Sequence, residues 1–428
     1  MKTISIFLFC TLCLLVVQLV GESKSLSPDL KVNESQKENT GNQLIILENR
    51  QSFDRQDEII SIKKDKLKRP TQHLFPLIKD GSQTLNSQLS DSDADGTWDR
   101  LLISVSLKAH QKDTLWISWV PKNQLPVFKK ATNIRFSYKS KTGKPTPEIK
   151  KLMRLRGFTQ DISNPVFQLE GPGIENDKVA FRVFFDKRNS KDIYGKLTSK
   201  MVLDKVGLTG SWHKLQNWGM DILHTGESIG AGGLAVKEGG IVYPLADADS
   251  SFYTMVEEGP LRASLNLRFV NWDTGTLKTN GSETISMKKG DFFYQDEVRV
   301  PLTDKQELVC GMPNFHADSL VFIRHNKKFS SISTYSKQAE GTSTSLGLAI
   351  MFPTKEYEGK YSSKAGSLID HSYYVAMSPT KNAIQKLYFF ACWELTDKRF
   401  TTRHGFHQYL QETADRLANP IKVTIINY

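Results

Sequence analysis

The chain has few cysteines and lacks two common nucleotide-binding motifs. It has four cysteines in 428 residues, and only Cys310 and Cys392 lie beyond the first 23 residues. A disulfide-based scaffold is therefore excluded, whereas one disulfide or two buried thiols both fit. The chain has neither a GxGxxG nor a GxxxxGK[ST] motif, which argues against a nucleotide cofactor. We expect no cofactor.

Long apolar runs are also scarce. One run, Ile4–Val20, follows Lys2 and precedes the small residues at 21–23. This order predicts a secretory signal over residues 1–23. The run is short for a membrane span and contains polar residues, so we predict an exported protein, periplasmic or secreted, without a membrane anchor. The polar residues 24–43 predict a disordered spacer.

Negative charge is in deficit, since the chain carries a net charge of +11. Residues 129–156 contain ten Lys or Arg and one acid, Glu148. On an exported protein, such a charge favours an anionic partner, which can be a glycan, a nucleic acid or a membrane surface. The basic run is either a solvated surface or a wall that attracts an anionic substrate.

Short apolar runs separated by turn residues recur from residue 44 onward, and residues 261–269 alternate cleanly between apolar and polar. This pattern predicts one all-β domain over 44–428, a large antiparallel β-sandwich in which 44–125 could form an N-terminal β subdomain. One helix is predicted near the end, capped by Thr401 or Thr402 and stopped by Asn419-Pro420. A last strand follows over 421–426.

The stretch 211–233 concentrates residues that can do chemistry. It holds His213, Asp221 and His224, together with Trp212 and Trp218 and five glycines. The glycine content predicts a loop between strands, and loops on a rigid scaffold often carry functional sites. Surface histidines on a plain connection are the alternative.

The turn 91–99 imitates a calcium-binding loop. Its acids occupy relative positions 1, 3, 5 and 9, with Gly96 at position 6. Position 12 is Leu102, so the bidentate glutamate of such loops is missing. We therefore favour a solvated turn between strands.

The chain resembles an uncharacterised-domain family of exported proteins from bacterial polysaccharide-utilisation loci, which includes the ulvan oligosaccharide dehydratase of marine bacteria. The resemblance runs from about residue 44 to 426. It rests on residues 55–58, the turn 91–99, residues 176–182, the stretch 213–233, residues 391–393 with the closing helix, and residues 419–423. Trp212 and Trp218 stand where the family often has tyrosine and histidine. The resemblance implies a galactose-mutarotase-like sandwich.

The resemblance also implies dehydration of the non-reducing-end uronic acid (glucuronate or iduronate) of ulvan oligosaccharides by β-elimination. Such a site needs a base, a cation for the carboxylate and a proton donor. We assign His213 as base, Arg182 to the carboxylate and His224 or Tyr194 as acid. Trp212, Trp218, Asp221 and Lys214 are assigned to substrate contacts. The partner is then an acidic, sulfated oligosaccharide and not a nucleic acid, and the oligomeric state stays open.

Other interpretations fit the same residues. His213, Asp221 and His224 could instead bind a divalent metal, although we assign no metal site. A lyase that cleaves the polymer, or a non-catalytic protein that binds acidic glycans, would use the same stretch. Glycoside hydrolysis fits less well because no pair of acids stands out. His316 is a reserve site residue, whereas His404 and His407 lie at a predicted helix start and are interpreted as structural.

Overall fold

The computed structural model describes residues 43–161, 163–246, 248–380 and 384–427. The predicted signal at 1–23 and the predicted spacer up to residue 42 lie outside the described residues. Gln43, the last residue of that spacer prediction, already belongs to the first strand. The described residues from 43 onward form one compact unit.

The strands are numbered in chain order. The N-terminal strands are β1 (Gln43–Glu48), β2 (Arg55–Lys63), β3 (Leu74–Asp80), β4 (Gln83–Thr84), β5 (Ser87–Ser90), β6 (Arg100–Leu107) and β7 (Lys112–Pro121). The middle strands are β8 (Thr132–Arg135), β9 (Lys151–Leu155), β10 (Gly173–Asn176), β11 (Val179–Val183), β12 (Lys191–Lys196), β13 (Gly219–Asp221), β14 (Gly233–Glu238), β15 (Ile241–Pro244) and β16 (Ser250–Glu257). The remaining strands are β17 (Arg262–Asp273), β18 (Lys278–Lys288), β19 (Phe293–Arg299), β20 (Gln306–Pro313), β21 (Val321–Arg324), β22 (Phe329–Ala339), β23 (Thr344–Pro353), β24 (Tyr357–Ser362), β25 (Ser372–Met377), β26 (Gln385–Trp393) and β27 (Lys422–Asn427), and helix α1 spans Arg403–Ala418.

Three antiparallel sheets share the largest apolar core. The first has nine strands in the order β21-β22-β23-β26-β19-β18-β17-β16-β9. The others have five strands each, in the orders β13-β12-β11-β10-β8 and β15-β14-β20-β25-β24. Phe181, Leu234 and Phe389 come from the three different sheets and belong to one buried cluster. The predicted all-β antiparallel sandwich with one C-terminal helix is confirmed.

The N-terminal strands have a core of their own. Two sheets, β27-β1-β7-β3-β4 and β2-β6-β5, supply Ile45, Leu101 and Trp119 to a second buried cluster. Strand β27 pairs with β1, with Leu44 opposite Ile426. Strand β27 near the C-terminus is therefore an edge strand of the same sheet as β1.

Helix α1 packs on the outer face of the nine-stranded sheet. Its N-cap is Thr402, whose side chain accepts a hydrogen bond from the Gly405 backbone N–H. Phe406 and Leu410 are buried there against Phe390, while the neighbouring residue Phe389 faces the central core. Successive residues of β26 thus pack into two different layers. The predicted cap at Thr402 is confirmed.

Two further observations concern the cysteines, which lie in β20 and β26, and the helices. Cys310 and Cys392 are both buried and unpaired, so of the two alternatives the structure supports two buried thiols. No helix within the described ranges is long and apolar enough to cross a membrane.

Candidate active site

Polar residues line one face of the sheet that contains β11, β12 and β13. The register places Arg182 opposite Asp192 and Tyr194 opposite Asp221. Cross-strand partners share a face, as do residues two apart in a strand. All four side chains therefore lie on one side, while Ile193 on the other side enters the central core.

The Arg182 guanidinium is surrounded by carboxylates. It donates to Asp192 Oδ2 from Nε at 3.0 Å and from an Nη at 2.6 Å, to Asp221 Oδ2 at 3.2 Å and to Glu170 Oε1 at 3.3 Å. Its side chain is only 4% exposed. The structure thus differs from the prediction for Arg182, because burial and three internal carboxylates keep its fork from an incoming substrate carboxylate.

Asp221 connects this buried network to His213. The Asp221 side chain is 2% exposed, and its Oδ2 lies 3.8 Å from Nδ1 of His213, whose side chain is 63% exposed. Burial raises the pKa of Asp221 well above its ordinary value, and the neighbouring Asp192 carboxylate adds to the shift, which Arg182 partly offsets. Asp221 therefore keeps its proton to a higher pH than an exposed aspartate. Its predicted direct contact with substrate is replaced by a contact with His213.

Tyr194 is fully buried on the same face of the sheet. Its hydroxyl is buried and has no hydrogen-bond partner within the described part of the chain. Burial is also the main reason why the pKa of Tyr194 is raised well above its ordinary value. Its ring contacts Trp218 edge-on, with centroids 6.1 Å apart. In this structure the hydroxyl has no route to a ligand.

A cleft of about 440 Å³ opens next to the Trp212 side chain, and His213 is not among the residues that line it. Trp212 and Trp218 line it, together with Lys200 and Lys205, and the ring of Trp212 lies 5.8 Å from that of His213. The other lining residues are Thr198, Met201, Val202, Val206, Gly207, Thr209, Gln216 and Asn217. The two tryptophans predicted as substrate contacts thus share one cleft, with Lys214 exposed nearby in the sequence.

A glycine allows the cleft wall to pack closely. Gly207 has a φ of +77°, and a Cβ there would lie 2.7 Å from the Trp212 ring. Any larger residue would be strained in this backbone conformation and would displace the tryptophan. The position of Trp212 therefore depends on the absence of a side chain at 207.

His224 forms a second histidine–carboxylate pair. Its Nδ1 lies 3.3 Å from Glu340 Oε1, and its ring contacts Phe315 edge-on at 4.6 Å. The reserve residue His316 is 6.5 Å away, ring to ring. His224 and His316 are therefore neighbours on one surface, where Glu340, which was not predicted, is the acidic partner.

The turn between β22 and β23 touches both histidine-bearing stretches. The Glu340 N–H donates to the Ile222 carbonyl at 3.0 Å. A Cβ built on Gly341 would lie 2.7 Å from the Met220 side chain and 3.5 Å from the His213 carbonyl oxygen. His213 and His224 thus lie near the same turn but have separate carboxylate partners.

The alternative metal set is not assembled. In the described ranges, only Asp91, Asp93 and Asp95 place three carboxylate or imidazole ligand atoms within 4.8 Å of one another. His213, Asp221 and His224 do not, and His224 instead lies 3.3 Å from Glu340. The 91–99 turn is held internally, since the Gly96 N–H donates to Asp91 at 2.8 Å.

The basic run divides into buried and exposed parts. Arg135 pairs with Glu148 at 3.2 Å, and Arg154 donates to Asn189 at 2.8 Å in a buried contact. The turn near Gly143 approaches the tryptophan cleft, since a Cβ at Gly143 would lie 3.5 Å from the Thr209 methyl group. His404 and His407 lie in α1, and their structural role stays a prediction.

Comparisons with other proteins give distant likenesses. The chain is 27% identical over 290 residues to "Uncharacterized protein P7" of Formosa agariphila, covering 59% of this chain and 66% of that protein. Among solved structures, it resembles an α-mannosidase from Enterococcus faecalis with a TM-score of 0.46 and 10% identity, covering 90% of this chain and 46% of the other. A glycosyl hydrolase family 38 protein of that organism gives a TM-score of 0.42 and 9% identity, covering 90% and 47%.

The chain thus spans 66% of that relative and about half the length of those solved structures. Over nearly its whole β-sandwich, it matches one family model, residues 47–423. The chain belongs to the family described as a domain of unknown function, DUF4861.

Proposed function

We propose that the chain is a carbohydrate dehydratase. It would remove water by β-elimination from the non-reducing-end uronic acid of ulvan oligosaccharides, after export to the periplasm or beyond. The observation that carries the proposal is the exposed His213 imidazole, 3.8 Å from buried Asp221. Its ring lies 5.8 Å from that of Trp212, which lines a cleft together with Trp218 and two lysines. An accessible imidazole with a fixed acidic neighbour is suited to proton transfer near neutral pH.

The proposed reaction uses one base and one acid. His213 takes the C5 proton, and the electron pair of the broken C5–H bond forms the C4–C5 double bond. The C4–O bond breaks, and the hydroxyl leaves as water with a proton from the acid. We assign His224 as this acid in preference to Tyr194, because the His224 side chain is 46% exposed whereas the Tyr194 hydroxyl is buried.

The substrate carboxylate needs a positive partner, since its charge opposes removal of the adjacent proton. We move this role from Arg182 to Lys200 and Lys205, which line the cleft. Trp212 and Trp218 provide flat apolar surfaces for sugar rings. Arg182 becomes a positioning residue that holds Asp221 near His213.

Two other functions fit parts of this arrangement. A polymer lyase would use the same base and acid but would break a glycosidic bond, and a non-catalytic glycan-binding protein would use only the tryptophan cleft. The test is incubation with a defined uronate-terminated oligosaccharide, followed by mass spectrometry and ultraviolet absorbance. Loss of one water with new absorbance from the C4–C5 double bond supports dehydration. Two shorter fragments indicate the lyase, and binding with no new product indicates the binding protein.

A further inference from the structure

A second cleft lies in the N-terminal part of the chain. It has a volume of about 840 Å³, and its walls include Lys64, Arg69, Gln72, Trp98 and Lys122. These residues belong to the strands and turns around the N-terminal core, which also contains Trp98. The tryptophan cleft, in contrast, lies on the sheet that contains β11 to β13. The two clefts therefore belong to different parts of the fold.

Positive charge dominates the second cleft. Three cations line it, Lys64, Arg69 and Lys122, against one acid, Asp91. Within the described ranges, none of the three cations has a carboxylate oxygen within 4.0 Å. None of the three therefore forms a close ion pair, although the Lys64 charge adds to the hydrogen bonds from Thr97 that lower the pKa of Asp95 in the adjoining turn. An anion that entered the cleft would meet several cations at once.

Two of the three cations, Lys64 and Arg69, are held in place by aromatic rings, and Arg69 also by a backbone carbonyl. The Lys64 ammonium lies 5.1 Å from the Trp98 ring centroid. The Arg69 guanidinium lies 5.2 Å from the Phe75 ring and 6.0 Å from that of Trp98, and Arg69 Nε donates to the Leu74 carbonyl at 2.8 Å. These contacts fix the direction of the charges, so less ordering is needed when a ligand binds.

We propose that this cleft is a second binding site for an anionic saccharide that bears uronate or sulfate groups. Lys64, Arg69 and Lys122 bind the anionic groups, and Phe75 and Gln72 contact the sugar rings and hydroxyls. The preference for an anion depends on the cleft alone, whereas the choice of a saccharide rests on the proposed function. Such a site holds the acidic glycan on the protein independently of the chemistry at His213.

The test is a binding measurement that does not depend on turnover. Calorimetry is performed in the His213→Gln chain with an ulvan hexasaccharide and a chondroitin sulfate hexasaccharide. The cleft variant is the double substitution Lys64→Glu and Lys122→Glu. Its matched control is the double substitution Lys66→Glu and Lys68→Glu, which makes the same charge change at exposed neighbouring positions outside the cleft. Lys64→Gln with Lys122→Gln repeats the test without charge reversal, and melting curves check that each variant is folded.

We expect the cleft variants to weaken binding of the acidic hexasaccharides at one site at least about tenfold, because each loses two charge-assisted contacts. The control variant should stay within about twofold. Equal affinities of cleft and control variants would overturn the proposal, as would an absence of binding to both hexasaccharides. Polyglutamate that binds as tightly as the hexasaccharides, with the same sensitivity, would overturn the saccharide assignment. If the cleft variants lose binding while the wild type yields no dehydrated product, this inference stands and the proposed function fails.

Discussion

The two histidine–carboxylate pairs differ most in the burial of the acid. Asp221, the partner of His213, is 2% exposed, whereas Glu340, the partner of His224, is 41% exposed. The exposed pair has the shorter contact, 3.3 Å against 3.8 Å. Distance alone would therefore rank the His224–Glu340 pair as the stronger one, although its acid is the more exposed.

Burial changes what each acid can do. Asp221 is fixed by Arg182 at 3.2 Å and shares that guanidinium with Asp192, so it cannot turn away from His213 without breaking a network. Glu340 is in contact with solvent, where a single ion pair contributes about 0–1 kcal/mol. Burial thus holds the Asp221 carboxyl group at a fixed place beside His213, whereas the exposed Glu340 is only a weak partner for His224.

The largest expected effect comes from the residue that faces the buried acid. His213→Gln should lower kcat by a factor of about 10²–10⁴, because it removes the proposed general base. Binding of the oligosaccharide and the melting temperature should change little, since the side chain is 63% exposed. The measurement is the initial rate of absorbance increase, and His404→Gln, an exposed histidine in α1, is the matched control. A folded His213→Gln chain with ordinary turnover would contradict the assignment of the base.

Asp221→Asn tests the burial of the acid through the pH dependence of stability. Because the pKa of Asp221 is raised in the folded chain by burial, the folded state holds a proton that the unfolded state releases above about pH 4. Its contribution therefore makes the wild type less stable as pH rises from about 4 toward the folded-state pKa, by at most about 1.4 kcal/mol per pH unit. Asn does not titrate, so this fall should be shallower in the variant.

Melting temperatures from pH 4 to pH 9 for the wild type and Asp221→Asn provide the measurement. Glu340→Gln, which changes an exposed carboxylate in the other pair, is the control. An unchanged slope in Asp221→Asn would show that the proton is not held at this site, and the contrast between the two pairs would then lose its physical basis.

Much of the fold followed from local patterns in the sequence. The alternation in 261–269 predicted part of β17, and the Thr402 cap with Asn419-Pro420 predicted α1. These features depend on neighbours in the chain, so a single sequence contains them. The pairing of β27 with β1 joins residues more than 370 positions apart, and no local pattern encodes that choice.

The candidate site was also predictable only in part, because some of its residues are far apart in the sequence. The composition of 211–233 identified His213, His224 and both tryptophans. Asp192 could have been found, since it lies two residues before Tyr194 and must share its face in a strand. Glu340 could not, because it is 116 residues from His224. The sequence pattern identified Arg182, but its carboxylate partners come from separate strands and turns. The sequence therefore could not reveal that carboxylates of the protein itself pair with the Arg182 charge.

The smallest expected effect comes from the exposed acid. Glu340→Gln removes a charge 3.3 Å from His224 but leaves a side chain of the same length, and an exposed pair contributes no more than about 1 kcal/mol. We therefore expect kcat to fall at most about fivefold, whereas His224→Gln, which removes the proposed acid, should lower it by about 10² or more. Steady-state rates of the two single variants and the double variant separate these effects. The double variant should be no slower than His224→Gln, because Glu340 acts only through that histidine. A Glu340→Gln chain as slow as His224→Gln would instead assign the proton-donating role to the carboxyl group.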